Sequence, residues 1–391
     1  MLAIKAVCQR VQLPLELLDV FEKFREMVNY SIRVGLDKDI TSRFKLSNEV
    51  YGALHNRLHT WYILSAVEKA TAILKNHRKE KRKNPEAKKP YVLRPFLSIG
   101  NQAYTITDGK LRLPIKPREF IYIPLNRHTL EVLSEPGLKL GSITLVASTS
   151  VLSISYSKEV DEIEPSGFIG LDRNLNNVTV AESGGETMRF NLSEATRIKA
   201  AYREVKSHLK RNDVKVRRRI YGKYGMKQSN RVSQILHRVS KTIVEEAKEK
   251  KLGIVMENLK GIRKLYRKGN WQGRDYRGKM NGWSYYELQR QIEYKARWEG
   301  LPVIYVKAGG TSSLCAVCGS KLYPNSTDRT VWCPQCLKAT DRDTNAARNI
   351  LSRGLRFGPI GAVNEGMVAK HPRDQSANSI QPSLTTTPTP S

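Results

Sequence analysis

Phe168-Ile169-Gly170-Leu171-Asp172 is a short apolar run that closes on an acid. Opened by Pro165-Ser166-Gly167, it reads as a buried strand. A carboxylate on such a strand is costly unless it is paired or binds metal. The pattern returns at Gly253-Ile254-Val255-Met256-Glu257. Between the two runs, Val178-Thr179-Val180-Ala181, the turn Gly184-Gly185, and Met188, Phe190 and Leu192 in alternation predict two more strands in a hairpin. Residues 193–250 carry 17 Lys/Arg against 6 Asp/Glu and read as two helices broken at Tyr221-Gly222-Lys223-Tyr224-Gly225. Further on, residues 261–282 hold five glycines with Tyr266, Trp271 and Tyr276, and read as a mobile loop. A helix over 283–298, a strand over 303–306 and a last helix from about Asp341 complete the unit. On that helix Asp343 shares a face with Ala346, Ala347 and Ile350, while Asp341 suits the N-cap.

Three strands, helix, strand, helix, strand, helix, with acids on the first strand, the fourth strand and the last helix, is the layout of an RNase H-like nuclease. Taken singly, Glu257 equally fits a strand end, and Asp343 a cap or a salt bridge. The joint order carries the reading. Three carboxylates meeting at one sheet edge would hold two Mg²⁺ ions, which generate a hydroxide nucleophile and stabilise the leaving oxygen of a phosphodiester.

The second dense signal is Cys315-Ala316-Val317-Cys318, fourteen intervening residues, then Cys333-Pro334-Gln335-Cys336. Two such knuckles place four thiolates around a tetrahedral zinc. Four protein ligands close the coordination sphere, so this zinc would be structural. Cys8, the fifth cysteine, reads as a buried small hydrophobe. Clustered cysteines suit a reducing compartment better than disulfides do.

Over the whole 391 residues, 67 Lys/Arg face 37 Asp/Glu, a net charge of +30. Such an excess calls for a polyanion, with nucleic acid the leading partner, because each docked cation releases a condensed counterion. No apolar run approaches the ~20 residues of a membrane span, and the start, Met1 to Cys8, reads as a strand and not as a signal peptide. The expectation is an intracellular protein with no membrane partner.

Toward the amino terminus the chain reads as a strand over 1–13, helical periodicity over about 14–34 and 50–73, then a basic run over 77–83. Short β-rich runs follow over 91–164, at the spacing of a small antiparallel barrel. The first strand could join that barrel, with the helices as an insertion. The last stretch, rich in Ser, Thr and Pro, reads as disordered.

The order Ile169-Gly170-Leu171-Asp172, Met256-Glu257-Asn258-Leu259, Thr311-Ser312-Ser313 with the four cysteines, and Asp341-Arg342-Asp343-Thr344-Asn345-Ala346-Ala347-Arg348-Asn349-Ile350 resembles the successive motifs of TnpB. TnpB is a transposon-encoded, RNA-guided DNA nuclease related to type V CRISPR effectors. Trp283-Ser284-Tyr285-Tyr286-Glu287-Leu288, with Glu293-Tyr294-Lys295-Ala296, also resembles its connecting helix. The motif-level likeness covers about 167–351; the amino-terminal half matches in layout alone. The resemblance implies a multidomain α+β fold, with an RNase H-like (RuvC) nuclease core carrying an inserted zinc ribbon. An amino-terminal β-barrel wedge domain would be interrupted by a helical recognition domain. The implied boundaries are 1–13 and 91–164 for the wedge and 14–90 for recognition. The nuclease core takes 165–310, the ribbon 311–338, the last core helix 339–355 and the tail 356–391.

The resemblance further implies Asp172, Glu257 and Asp343 as catalytic carboxylates holding two Mg²⁺, and Cys315, Cys318, Cys333 and Cys336 as ligands of one Zn²⁺. It implies a guide RNA from the protein's own element and a target double-stranded DNA cut beside a short adjacent motif, in a prokaryotic cytoplasm at the nucleoid. Base pairing would read sequence and the protein duplex shape. Asn174 stands where many members carry Gly, and its side chain either crowds the first metal or donates a hydrogen bond. Two other readings stay open: a guide-dependent DNA-binding regulator that does not cut, and a guide-independent RNase H-type nuclease.

Overall fold

The computed structural model describes residues 1–356 apart from 56, 117, 209–213, 268 and 326–327. The tail from 357 on, read above as disordered, lies outside the described residues. The chain divides into two compact units, Met1–Val160 and the chain from Asp161 onward.

In the first unit, β1 (Leu2–Arg10) precedes three helices, α1 (Leu15–Asp37), α2 (Arg43–Leu54) and α3 (Thr60–Lys81). The periodicity over 50–73 thus belongs to two helices, parted after Leu54. Then follow β2 (Phe96–Ile99), β3 (Thr105–Thr107), β4 (Lys110–Lys116), β5 (Glu119–Pro124), α4 (Arg127–Leu133), β6 (Lys139–Val146) and β7 (Val151–Glu159). Strand β1 pairs antiparallel with β7 in the sheet β1-β7-β6-β2, so the first strand does join strands that follow the helices. A separate sheet runs β3-β4-β5. Alternation along β1 buries Ala3, Val7 and Gln9. That places Cys8 on the opposite face, exposed, against the expectation of a buried thiol.

The second unit begins with β8 (Gly167–Arg173), β9 (Asn177–Glu182) and β10 (Thr187–Asn191), then α5 (Ser193–Ser207) and α6 (Val214–Glu249). Helix α6 runs unbroken through Gly222 and Gly225, so the predicted break there is corrected. A helical glycine costs about 1 kcal/mol each, which a helix of 36 residues anchored by buried Val232, Ile235, Leu236 and Ile243 absorbs. Next come β11 (Leu252–Asn258), α7 (Arg274–Asn281), α8 (Tyr285–Trp298) and β12 (Val303–Lys307). The stretch 261–282 is therefore not structureless: it holds a 3₁₀ turn, Ile262–Tyr266, as well as α7. Three short strands, β13 (Tyr323–Pro324), β14 (Thr330–Cys333) and β15 (Lys338–Asp341), form their own sheet before α9 (Arg342–Leu355).

The central sheet has the order β10-β9-β8-β11-β12. The hairpin strands are antiparallel, while β8, β11 and β12 run parallel. One face buries Ile169, Leu171, Ile254 and Met256 against residues of α5, α6 and α8. The other buries Phe168, Val255 and Val306 against Ala347, Ile350 and Leu351 of α9.

Candidate active site and metal centre

Strand alternation decides where the acids go. Phe168 and Val255 lie on the α9 face, so Asp172 and Glu257, four and two residues further along parallel neighbours, lie on that face too. Helix α9 can approach closely because Gly170 has no side chain. A Cβ there would lie 2.4 Å from the Ala347 carbonyl oxygen and 2.5 Å from the Leu351 nitrogen. Gly354 makes the same allowance against Val255, at 2.4 Å. Asp341 caps the helix, its Oδ1 accepting from the Thr344 amide at 2.8 Å, which contributes about 1 kcal/mol. Asp343 in the first turn is then driven inward, to 1% exposure.

All three acids are buried, Asp172 at 8% and Glu257 at 7% exposure. Burial, and then the Glu257 charge, push the Asp172 carboxyl up to about 7. The Asn174 amide opposes this, donating to Asp172 Oδ2 at 2.7 Å. Glu257 is also raised, chiefly by burial, against the hydroxyl of Thr311, which donates to its Oε1 at 2.5 Å. Asp343 Oδ1 is ion-paired with the Arg329 guanidinium, and its Oδ2 accepts from Asn177 Nδ2 at 3.3 Å. Arg173, fully buried, donates to the Glu257 backbone carbonyl and, at 2.8 Å, to Gln289 Oε1.

The structure thus brings the three acids to one side of one sheet, and the charges of Glu257 and Asp343 both act on Asp172. As a set they do not close within the reach of a single ion. Among the described residues, the four thiols of Cys315, Cys318, Cys333 and Cys336 are the one group of three or more His, Cys, Asp or Glu whose ligand atoms lie within 4.8 Å of one another. Their Sγ separations, 3.9 Å for Cys315–Cys336 and 3.4 Å for Cys318–Cys333, bracket the ~3.8 Å edge of a tetrahedron with 2.3 Å metal–sulfur bonds. The cluster can hold a metal ion.

The cysteine unit is bolted to the acid-bearing helix. Asn345 of α9 accepts from the Ala316 amide at 2.9 Å and donates to the Leu314 carbonyl at 2.8 Å. Asn349, one turn on, donates to the carbonyls of Thr311 and Leu314 at 2.8 and 2.7 Å. Thr311 and Arg329, on either side of the first knuckle, reach Glu257 and Asp343. Sequence reading missed Arg173, Asn177 and Arg329. A buried-strand Arg beside Asp172 was a usable signal, whereas Arg329 sits in a polar loop and carries none.

A family described as Cas12f1-like, TNB domain, matches residues 285–350, and the Uncharacterized protein MJ0013 family matches 20–114. The fold is of the Cas12 type: a Cas12f1 chain, solved in complex with sgRNA and target DNA, superposes with a TM-score of 0.57 over 86% of this chain and 83% of that one, at 15% identity. The sequence relatives include TnpB-like proteins. One from Methanocaldococcus jannaschii is 29% identical, over 68% of this chain and 98% of its own length. A second from the same organism is 26% identical, over 79% and 74%. The CRISPR-associated endodeoxyribonuclease Cas12f1 of Sulfoacidibacillus thermotolerans is 34% identical, over 29% of this chain and 25% of its own. The resemblance to TnpB read from the motifs is borne out. Among the described residues no helix is long and apolar enough to cross a membrane.

Proposed function

We propose that the chain is an RNA-guided DNA endonuclease of a transposable element. It would bind a guide RNA and cut the matched DNA strands beside a short adjacent motif, through a RuvC-type site of Asp172, Glu257 and Asp343. The observation that carries this reading is the placement of all three buried acids on the α9 face of the central sheet, on β8, β11 and α9. Those acids would hold two Mg²⁺, which supply an activated water and neutralise the leaving oxygen. Burial disfavours the anions of Asp172 and Glu257, and the charges of Glu257 and Asp343 further disfavour that of Asp172, so a cation bound beside them would be favoured. The chain's own groups fix where the carboxylates point: Thr311 holds Glu257, Asn174 holds Asp172, and Asn177 with Arg329 holds Asp343. We read Cys315, Cys318, Cys333 and Cys336 as the ligands of one structural zinc. The amino-terminal unit is proposed as wedge and helical recognition domains, as the likeness in layout implies.

The test is direct. The protein is incubated with RNA transcribed from its own flanking sequence, a matched duplex and Mg²⁺. Cleavage that requires all three components, and is lost in Asp172→Ala, Glu257→Ala and Asp343→Ala, supports the reading. Tight guided binding with no nicking in Mg²⁺ or Mn²⁺ would replace it with the regulator, and cleavage without copurifying RNA with the guide-independent nuclease.

A further inference from the structure

The turn between β8 and β9, at Asn174, and the first residue of β9, Asn177, carry two amides that face two different acids. Asn174 Nδ2 donates to Asp172 Oδ2 at 2.7 Å and to Asn177 Oδ1 at 3.3 Å. Asn177 Nδ2 in turn donates to Asp343 Oδ2 at 3.3 Å. The side chains therefore run Asp172–Asn174–Asn177–Asp343, an unbroken string between a strand-borne and a helix-borne carboxylate.

The turn itself is held from both ends. The Asn174 amide nitrogen donates to the Asn177 carbonyl at 2.8 Å. The Asn174 carbonyl accepts from the indole Nε1 of Trp283 at 2.9 Å. Trp283 lies in the segment that leads into α8, and this segment is fastened on either side. The half-buried Lys199 ammonium of α5 donates to the Gly282 carbonyl and to the Ser284 hydroxyl. Arg173 donates to the Tyr285 carbonyl at 3.4 Å. With its backbone pinned at both N–H and C=O, Asn174 has few ways to place its amide other than on Asp172.

We propose that Asn174 and Trp283 are positioning residues for divalent-ion binding: the indole locks the β8–β9 turn, and the turn's amide string holds Asp172 and Asp343 at a fixed separation. The proposal rests on the reading of those acids as ion ligands. It gives Asn174 a role that a glycine at this position could not fill. Like-charged carboxylates drift apart or take up protons unless donors stand between them, and hydrogen-bond partners of ligand side chains commonly change metal affinity 10- to 100-fold.

The experiment uses full-length, zinc-replete protein freed of other divalent ions. Mn²⁺ binding is read from the electron paramagnetic resonance of the free ion, and the Mg²⁺ dependence of guided cleavage is measured in parallel. Trp283→Phe keeps an aromatic ring while removing the N–H together with the five-membered ring that carries it. Trp283→Phe and Asn174→Ala should each weaken Mn²⁺ binding about tenfold, and raise the Mg²⁺ concentration for half-maximal cleavage by the same factor, with the plateau rate kept. The double variant should be no weaker than Asn174→Ala alone, because both act through one link. Wild-type ion affinity in Trp283→Phe, or fully additive losses in the double variant, would overturn the proposal. Should Asn174→Ala fail to fold, Trp283→Phe decides alone. If Asp172→Ala binds Mn²⁺ and cleaves like wild type, the ion-ligand reading itself fails. If Asp172→Ala loses both while Trp283→Phe loses neither, only the positioning string fails.

Discussion

Gly170→Ala adds one methyl group at the closest approach between β8 and α9. The added Cβ would sit 2.4 Å from the Ala347 carbonyl oxygen, 2.5 Å from the Leu351 nitrogen and 2.7 Å from the Leu351 Cβ, whereas ordinary contact begins at 3.4 Å. The first two neighbours are backbone, so no rotamer change relieves the overlap. Helix α9 must back away by about 1 Å, carrying Asp343 with it. Overpacking of this kind costs about 1–3 kcal/mol. A misplacement of about 1 Å at reacting groups can lower a rate about 100-fold. Urea unfolding and single-turnover guided cleavage would measure both effects on one preparation. Gly222→Ala in exposed α6 is the control: its Cβ meets nothing within 4 Å, and a helical Gly→Ala exchange should stabilise by up to about 1 kcal/mol. Gly170→Ala protein that unfolds at the wild-type midpoint and cuts at the wild-type rate would refute the claim that this contact sets the position of Asp343.

Alanine at Asp172, Glu257 or Asp343 should lower cleavage by more than the roughly 100-fold typical of losing only a ligand's hydrogen-bond partner, with guided DNA binding retained in a mobility-shift assay. Arg329→Ala removes the nearer of two cations beside Asp343, the other being Arg189 at 3.9 Å; because Asp343 is 1% exposed, cleavage and the unfolding midpoint of metal-free protein should both fall. Metal analysis should find one zinc per chain, and Cys333→Ser or a strong chelator should release it and disorder the cysteine unit, read by proteolysis. For pH, the folded protein holds the Asp172 proton to about 7, where an unperturbed aspartate loses it near 3.8. The native state therefore binds more protons than the unfolded chain in that window, and this group's contribution to stability falls as pH rises from about 4 to 7 and is flat above. In metal-free protein, Asp172→Asn should narrow the loss of melting temperature between about pH 5 and pH 8; an unchanged loss would contradict the assigned burial.

What was legible in the sequence is what burial and periodicity encode locally. The runs ending at Asp172 and Glu257 are strands because both faces are covered, and they were visible as unbroken apolar stretches. The cysteine spacing announced its cluster, and Asp341 announced the start of α9, since an N-cap is a contact within four residues. Two errors share a cause. Gly222 and Gly225 looked like a break, and residues 261–282 like a loop, because glycine content was read as local preference. Tertiary anchoring outweighs that preference in α6, and in 261–282 the chain still forms a 3₁₀ turn and a helix of eight residues. Cys8 was misjudged because its type suggests burial, while the register of β1 decides it.

The site was only half legible, and the missing half has one physical origin. The acids themselves lie on regular elements, so alternation and helical spacing locate them. The groups that orient them are remote in sequence: Thr311 lies 54 residues from Glu257, and Asn177 lies 166 residues from Asp343. Arg329 lies only 14 residues before Asp343, yet across a strand pair and a cysteine knuckle. Thr311 and Arg329 meet their acids because the cysteine unit is inserted between β12 and α9 and fastened to α9 by Asn345 and Asn349. An insertion that merely stabilised the chain would have no reason to hand one side chain to Glu257 and another to Asp343. That it does so from either side of its first knuckle argues that the thiol cluster fixes the spacing of the acids as well as the local fold. The metal it is suited to hold would then support the chemistry without touching the phosphate.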